Sequence, residues 1–176
     1  MDYQPILATL GYILSPDGKR VLLIHRDRRP EDAHFGKYNG LGGKLDATED
    51  VVSGMRREIR EEAGIECGSL HLRGTVSWPG FGKNGEAWFG FIFLVKSWTG
   101  VPKAENPEGT LAWIAVEKIL ELPLWEGDLY FLPLVFDVNV SQFHGVMPYR
   151  DGKPASWTYS IPESPGGVVR GNQLGR

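Results

Sequence analysis

The chain carries one cysteine, Cys67, so no intrachain disulfide can form. That excludes the disulfide-stapled secreted scaffolds and favours a reducing compartment. Cys67 itself reads as a small core filler. Long hydrophobic runs are also missing: the longest apolar stretches, residues 5–14 and 87–95, fall well short of the roughly 20 residues that a membrane span needs. No basic segment precedes the first apolar run, so no signal peptide is expected. Nor is there an excess of positive charge. With 19 Lys+Arg against 22 Asp+Glu the formal charge is −3, a balance that gives no general attraction to a polyanionic backbone, so a nucleic-acid polymer is not expected as a partner. No internal repeat or long linker divides the sequence. A soluble cytoplasmic protein without membrane contact is expected, and 41% hydrophobic content over 176 residues supports a core that folds unaided.

What is present alternates between two periodicities. Residues 5–14 and 21–25 read as strands joined at Asp17-Gly18, a hairpin signal. The following HFGKYNGLGGKL, with glycines at 36, 40, 42 and 43, predicts a loop of unusual backbone conformation. Thr48, Glu49 and Asp50 suit a helix start, Val51, Val52, Met55, Ile59 and Ala63 recur at helical spacing, and Gly64 suits the stop. Residues 70–78 and 86–96 then read as strands around Asn84-Gly85, followed by a strand over 110–115 and a short helix over 116–122. Asp128 can open a further helix towards Asp137, with Pro133 tolerable only near its beginning. Residues 143–149 and 156–161 flank Asp151-Gly152 as a closing hairpin. The domain is expected to span 1–161, with 162–176 as a mobile Gly-rich tail.

The helix places Glu58, Glu61 and Glu62 at i, i+3 and i+4, one face of repelling carboxylates. A solvated acidic face is the plain alternative. A cluster of hard oxygen donors is also what Mg²⁺ requires, with Mn²⁺ possible, and a bound ion would turn repulsion into coordination.

The longer spacing decides between them. From Gly43 the sequence GGKLDATEDVVSGMRREIREEAGI runs as Gly, five residues, Glu49, seven residues, Arg57-Glu58-Ile59-x-Glu61-Glu62-x-Gly64-Ile65. This resembles the Nudix box of the MutT-like diphosphate hydrolases at every defined position. The resemblance implies a single-domain α/β fold, an α/β/α sandwich around a mixed sheet. It also implies Glu58, Glu61 and Glu62 as principal metal ligands, joined by the carbonyl of Gly43. Arg57 would orient the cluster by pairing with Glu49, and Glu58 or Glu61 would assist deprotonation of the attacking water.

Similarity extends from about Ile6 to Ile161. KYNGLGGK, LPLWEGDLYFLPLV and FHGVM are similar to the branch of that family that clears oxidised purine nucleoside triphosphates. In that branch an Asn before the glycine-rich loop and a Trp-x-Asp-Asp segment hold the base; here they correspond to Asn39 and Trp125-Glu126-Gly127-Asp128, so Gly127 stands for the first aspartate. Glu108, five residues before Trp113, stands where the family has a distal metal-binding carboxylate. Trp78 and Arg26 complete the candidate substrate contacts. Each has a plain alternative: a turn former for Asn39, core aromatics for Trp125 and Trp78, a helix cap for Asp128, and a solvated loop acid for Glu108, with Glu105 as its neighbouring competitor. His25, His34, His71 and His144 show no metal-ligand spacing and read as structural.

The resemblance implies Mg²⁺-dependent hydrolysis of 8-oxo-dGTP to 8-oxo-dGMP and pyrophosphate by a monomer or small homo-oligomer. Two other readings stay open: the same fold acting on another nucleoside diphosphate-X substrate, and a catalytically decayed nucleotide-binding module.

Overall fold

The computed structural model describes residues 2–164 and 168–169. In chain order the strands are β1 (Ile6–Leu14), β2 (Arg20–His25), β3 (Tyr38–Asn39) and β4 (Leu41–Lys44), followed by helix α1 (Val51–Ala63). Then come β5 (Glu66–Cys67), β6 (Leu70–Trp78), β7 (Trp88–Val95), β8 (Trp98–Thr99), β9 (Glu105–Asn106) and β10 (Gly109–Ala115). A 3₁₀ turn over Val116–Glu121 leads to helix α2 (Asp128–Phe136), and the chain closes with β11 (Phe143–Val146), β12 (Tyr149–Arg150), β13 (Lys153–Pro154), β14 (Thr158–Ser160) and β15 (Val168–Val169).

The main sheet runs β15-β14-β11-β6-β7-β1-β2-β10-β9. It is mixed, since β1 pairs in parallel with β7, and β11 with β6, while the other pairs are antiparallel. Period-2 alternation assigns each strand's apolar residues to two layers. Tyr12, Val21, Leu23, Ile92 and Leu94 face Phe131, Leu132 and Val135 of α2, whereas Ile13, Leu22, Ile24, Phe93 and Val95 face Met55, Ile59 and Ala63 of α1. Both helices thus bury their apolar sides on opposite faces of one sheet, which is the α/β/α sandwich expected.

The Gly-rich segment departs from expectation. It is not a loop throughout, because β3 pairs with Ile24 and His25 of β2, and β4 with Ala8 to Gly11 of β1. Strands β1 and β2 are joined at only two residue pairs, Ile13 with Leu22 and Leu14 with Val21, and beyond them they separate to admit this segment. Gly42 tolerates no side chain there, since its φ is 157° and a Cβ would run into the Thr9 carbonyl of β1. Helix α1 follows the sequence closely, with the Asp50 carboxylate accepting from the Val52 and Ser53 amides, each at 2.9 Å, and Gly64 closing it at φ 70°. The closing hairpin forms as β11 with β14, and Asp151-Gly152 turns the smaller pair β12–β13. Of the expected tail, residues 165–167 and 170–176 lie outside the described residues; Val168–Val169 pairs with Tyr159 and Ser160.

Pro133 lies in the interior of α2 rather than near its beginning. It cannot donate back to Leu129. The opposite end is secured from outside the helix. The Arg73 guanidinium, carried on β6, donates to five carbonyls: Leu134, Val135, Asp137, Val140 and Ser141. A cation on the last carbonyls also complements the helix dipole. Arg73→Met should therefore lower stability by about 2–4 kcal/mol, because several carbonyls lose a charged donor at once, and should lower Tm by roughly 5–10 °C. Thermal melting of the variant checks this; an unchanged Tm would show the clamp to be dispensable.

Candidate active site

Helix α1 brings its acids to the glycine segment by packing. Buried Met55 and Ile59 fix its rotation against the sheet, and Glu58 and Glu62 then turn towards β4. The Gly43 backbone lies directly against Glu58: a Cβ on Gly43 would sit 2.6 Å from Oε1 of that carboxylate. The Gly42 amide donates to Glu62 Oε2 at 2.9 Å. Glu61 points outward, with its side chain 60% exposed. Arg57 is the hub. It donates twice to Glu49, at 3.0 and 2.6 Å, and once each to Glu58 Oε1 at 2.8 Å, Glu61 Oε2 at 3.3 Å and the Lys44 carbonyl at 3.2 Å. The Arg57–Glu49 pairing expected from sequence is thus present, and it raises the guanidinium pKa further.

Glu108 reaches the same region from the β9–β10 turn. Asn106 Oδ1 accepts from the Glu108 and Gly109 amides, and Asn106 Nδ2 donates to the Glu62 carbonyl at 3.2 Å, so the turn is tied to the end of α1. Arg26 then holds Glu108 Oε2 at 2.6 Å and also pairs with Asp32. The competitor Glu105 is exposed and pairs with Arg28. Burial, followed by the charges of Glu108 and Glu58, pushes Glu62 up to about 8. Glu58 is raised too, by burial, against the opposing pull of Arg57.

Among the described residues no three acidic, histidine or cysteine side chains stand in the arrangement of an assembled metal centre; Arg57 and Arg26 bond Glu58 and Glu108 instead. The donor chemistry nevertheless fits a hard divalent ion. Glu58 and Glu108 are carboxylates whose charges raise the proton affinity of Glu62, and a cation among the three would relieve that repulsion.

A cavity of about 180 Å³ opens where β1 and β2 separate, and it runs from Gly42, Gly43 and Glu62 at one end to an aromatic chamber at the other. Its walls include Trp78, Phe81, Trp88, Trp125 and Tyr149, and its polar groups are Arg26, His34, Asn39 and Asp128. The expected substrate residues Asn39, Trp125, Asp128, Trp78 and Arg26 all line it. Trp78 serves two purposes, packing against Phe131 of the core as well as forming a wall. Asp128 is no cap: it is the first residue of α2, preceded by Gly127 at the cap position with no side-chain bond.

Four wall residues escape sequence reasoning: His34, Phe81, Trp88 and Tyr149. The strands and loops that carry them are legible, but nothing local marks these side chains as facing one cavity. Tyr149 explains Gly127, because a Cβ there would collide with the Tyr149 hydroxyl, and Met147 Sδ would lie 2.7 Å away. The hydroxyl thus fills the space that a side chain at 127 would need. Burial raises the Tyr149 pKa, with the Asp128 charge adding to it, and burial alone lifts Asp128 to about 7.

The comparisons agree with this geometry. The NUDIX domain model matches residues 5–135. The mouse (Mus musculus) oxidized purine nucleoside triphosphate hydrolase is 31% identical over 157 residues, 89% of this chain and 94% of its own. An uncharacterized Nudix hydrolase of Bacillus subtilis is 33% identical over 141 residues, 78% of this chain and 83% of its own. The structure of a MutT protein from Bacillus halodurans superposes with a TM-score of 0.74 at 26% identity, covering 91% of this chain and 99% of that one.

The Asp128 shift has a sign that can be tested. The folded-state pKa of about 7 exceeds the ordinary 3.8, so the folded protein keeps a proton that the unfolded chain releases, and stability falls as pH rises from about 4 to 7. Asp128→Asn removes that loss. Relative to wild type the variant should gain about 1–2 kcal/mol at pH 8 and nothing at pH 4, allowing for solvent in the pocket. Melting curves at the two pH values check this, and an equal offset at both would contradict it.

Proposed function

We propose that this chain, which belongs to the NUDIX domain family, hydrolyses purine nucleoside triphosphates with an oxidised base, 8-oxo-dGTP foremost, to the monophosphate and pyrophosphate. One observation carries the reading: a single cavity joins an aromatic chamber with Asn39 and Asp128 to a glycine strand beside Glu58 and Glu62. A flat base suits the first part and a polyphosphate the second. The mouse relative's name points the same way.

When bound, Mg²⁺ or Mn²⁺ would be held by Glu58, Glu61, Glu62, the Gly43 carbonyl and Glu108, and would neutralise phosphate charge and acidify a water. The chain's own residues do the rest. Arg57, bonded to Glu49, fixes the Glu58 carboxylate against Gly43. Burial raises the proton affinity of Glu58, which favours it over exposed Glu61 as the group that receives a proton from the attacking water. The cavity's aromatic walls hold the base by stacking and exclude water.

Base choice follows from hydrogen-bond roles. Oxidation at C8 of guanine turns the N7 acceptor into an N–H donor, and a buried group left without a partner costs about 1–3 kcal/mol. Asn39 Oδ1 is buried with no partner among the described residues, so it requires a donor. Asp128, whose carboxyl is pushed up to about 7 by burial, can accept or, as the acid, donate.

Glu58→Gln and Glu62→Gln should each lower kcat by about 10² or more while leaving the fold intact. In a panel of nucleotides, kcat/KM for 8-oxo-dGTP should exceed that for dGTP by about 10-fold or more, and Asp128→Asn should reduce the ratio. Pyrophosphate release measures both. Equal rates on the two nucleotides, or better turnover of a nucleoside diphosphate linked to another group, would replace the substrate assignment while leaving the hydrolase.

A further inference from the structure

His34 lies in the wall of the chamber, on the segment between β2 and β3, and two donors converge on one of its ring nitrogens. Trp125 Nε1 is 3.0 Å from His34 Nδ1, and Asn39 Nδ2 is 3.0 Å from the same atom. An indole nitrogen only donates. Nδ1 must therefore present its lone pair, and the ring proton of the neutral imidazole must sit on Nε2.

That assignment propagates. Facing a lone pair, the Asn39 side chain has to turn its NH₂ towards His34, and its carbonyl oxygen is then directed away. This is the oxygen that is buried without a partner among the described residues, in a residue that lines the cavity. The donor-only indole thus fixes the tautomer, the tautomer fixes the amide, and the amide leaves an unpartnered acceptor on a residue that lines the cavity.

We propose that His34 is a positioning residue that sets base specificity: by accepting from Trp125 and Asn39 it holds Asn39 Oδ1 out as an acceptor and selects ligands that offer an N–H at that edge. This rests on the reading of the chamber as a base site. The neutral imidazole that it requires is consistent with its surroundings, where burial and then Arg26 lower its proton affinity against Asp32 and Glu108, with Lys37 adding to the lowering. Trp125 is held at the same time, its ring edge-on to His34 at 5.0 Å and Lys37 Nζ lying 4.6 Å from its centroid on the other contact. One imidazole thereby orients both a stacking surface and the amide beside it.

Two variants separate this role from packing. His34→Phe keeps an aromatic ring but removes the acceptor, whereas His34→Asn offers its Oδ1 close to where Nδ1 stood. The preference for 8-oxo-dGTP over dGTP, measured as the ratio of kcat/KM and as the ratio of dissociation constants for 8-oxo-dGMP and dGMP without metal, should shrink roughly tenfold in His34→Phe. His34→Asn should restore most of it. The change should fall on KM, with kcat at saturation nearly unchanged, because the phosphate end is untouched. Independently of any nucleotide, long-range ¹⁵N–¹H correlation of the wild-type protein should show His34 as the Nε2–H tautomer. A protonated Nδ1, or a selectivity ratio that survives His34→Phe, overturns the proposal. If instead the wild type shows no preference among bases while the tautomer is as stated, the base-site reading fails and the proposal falls with it, a result distinguishable from failure of His34 alone.

Discussion

Two backbone pairs hold β1 and β2 together, Ile13 with Leu22 and Leu14 with Val21, and everything functional depends on the strands separating beyond them. Each strand then has unpaired peptide groups facing the gap, which must find partners. The segment from Tyr38 to Lys44 supplies them, bonding β2 through β3 and β1 through β4. The same insertion places Asn39 at one end of the cleft and Gly43 at the other. A side chain at Gly42 would block the close approach to Thr9, and one at Gly43 would displace Glu58, so the glycines set how near the acids of α1 come to the backbone.

Three arginines tie distant segments to this frame. Arg57 binds the loop before α1 to the helix and its acids, Arg26 joins the end of β2 to the turn bearing Glu108, and Arg73 secures the far helix through carbonyls alone. A planar guanidinium with five donors suits such gathering better than an ammonium. The first two also hold carboxylates that repel one another, and their positive charges offset part of that repulsion.

Helix α1 and its box were legible because the signals are local: the cap Asp50, the apolar spacing of Met55, Ile59 and Ala63, the stop Gly64, and the acids between them. The hairpins β1–β2 and β6–β7 were legible from Asp17-Gly18 and Asn84-Gly85. The parallel pairing of β1 with β7 was not, since two apolar runs more than 70 residues apart carry no mark of their neighbour. Nor could the glycine segment be read as strand, because its pairing depends on the gap it fills. Asn39, Trp125 and Asp128 were found through resemblance. His34, Phe81, Trp88 and Tyr149 were not, because they come from four separate segments and only tertiary structure gathers them.

The contact between Gly127 and the Tyr149 hydroxyl has an evolutionary consequence. A polar group can reach that corner of the chamber from the helix side, by way of position 127, or from the hairpin side, by way of position 149, but both cannot occupy it together. The two positions are coupled: a side chain at 127 can enter only if the phenol or the Met147 thioether gives way. The state found at one of these positions therefore constrains which substitutions at the other can be tolerated, although the residues lie on different elements and far apart along the chain.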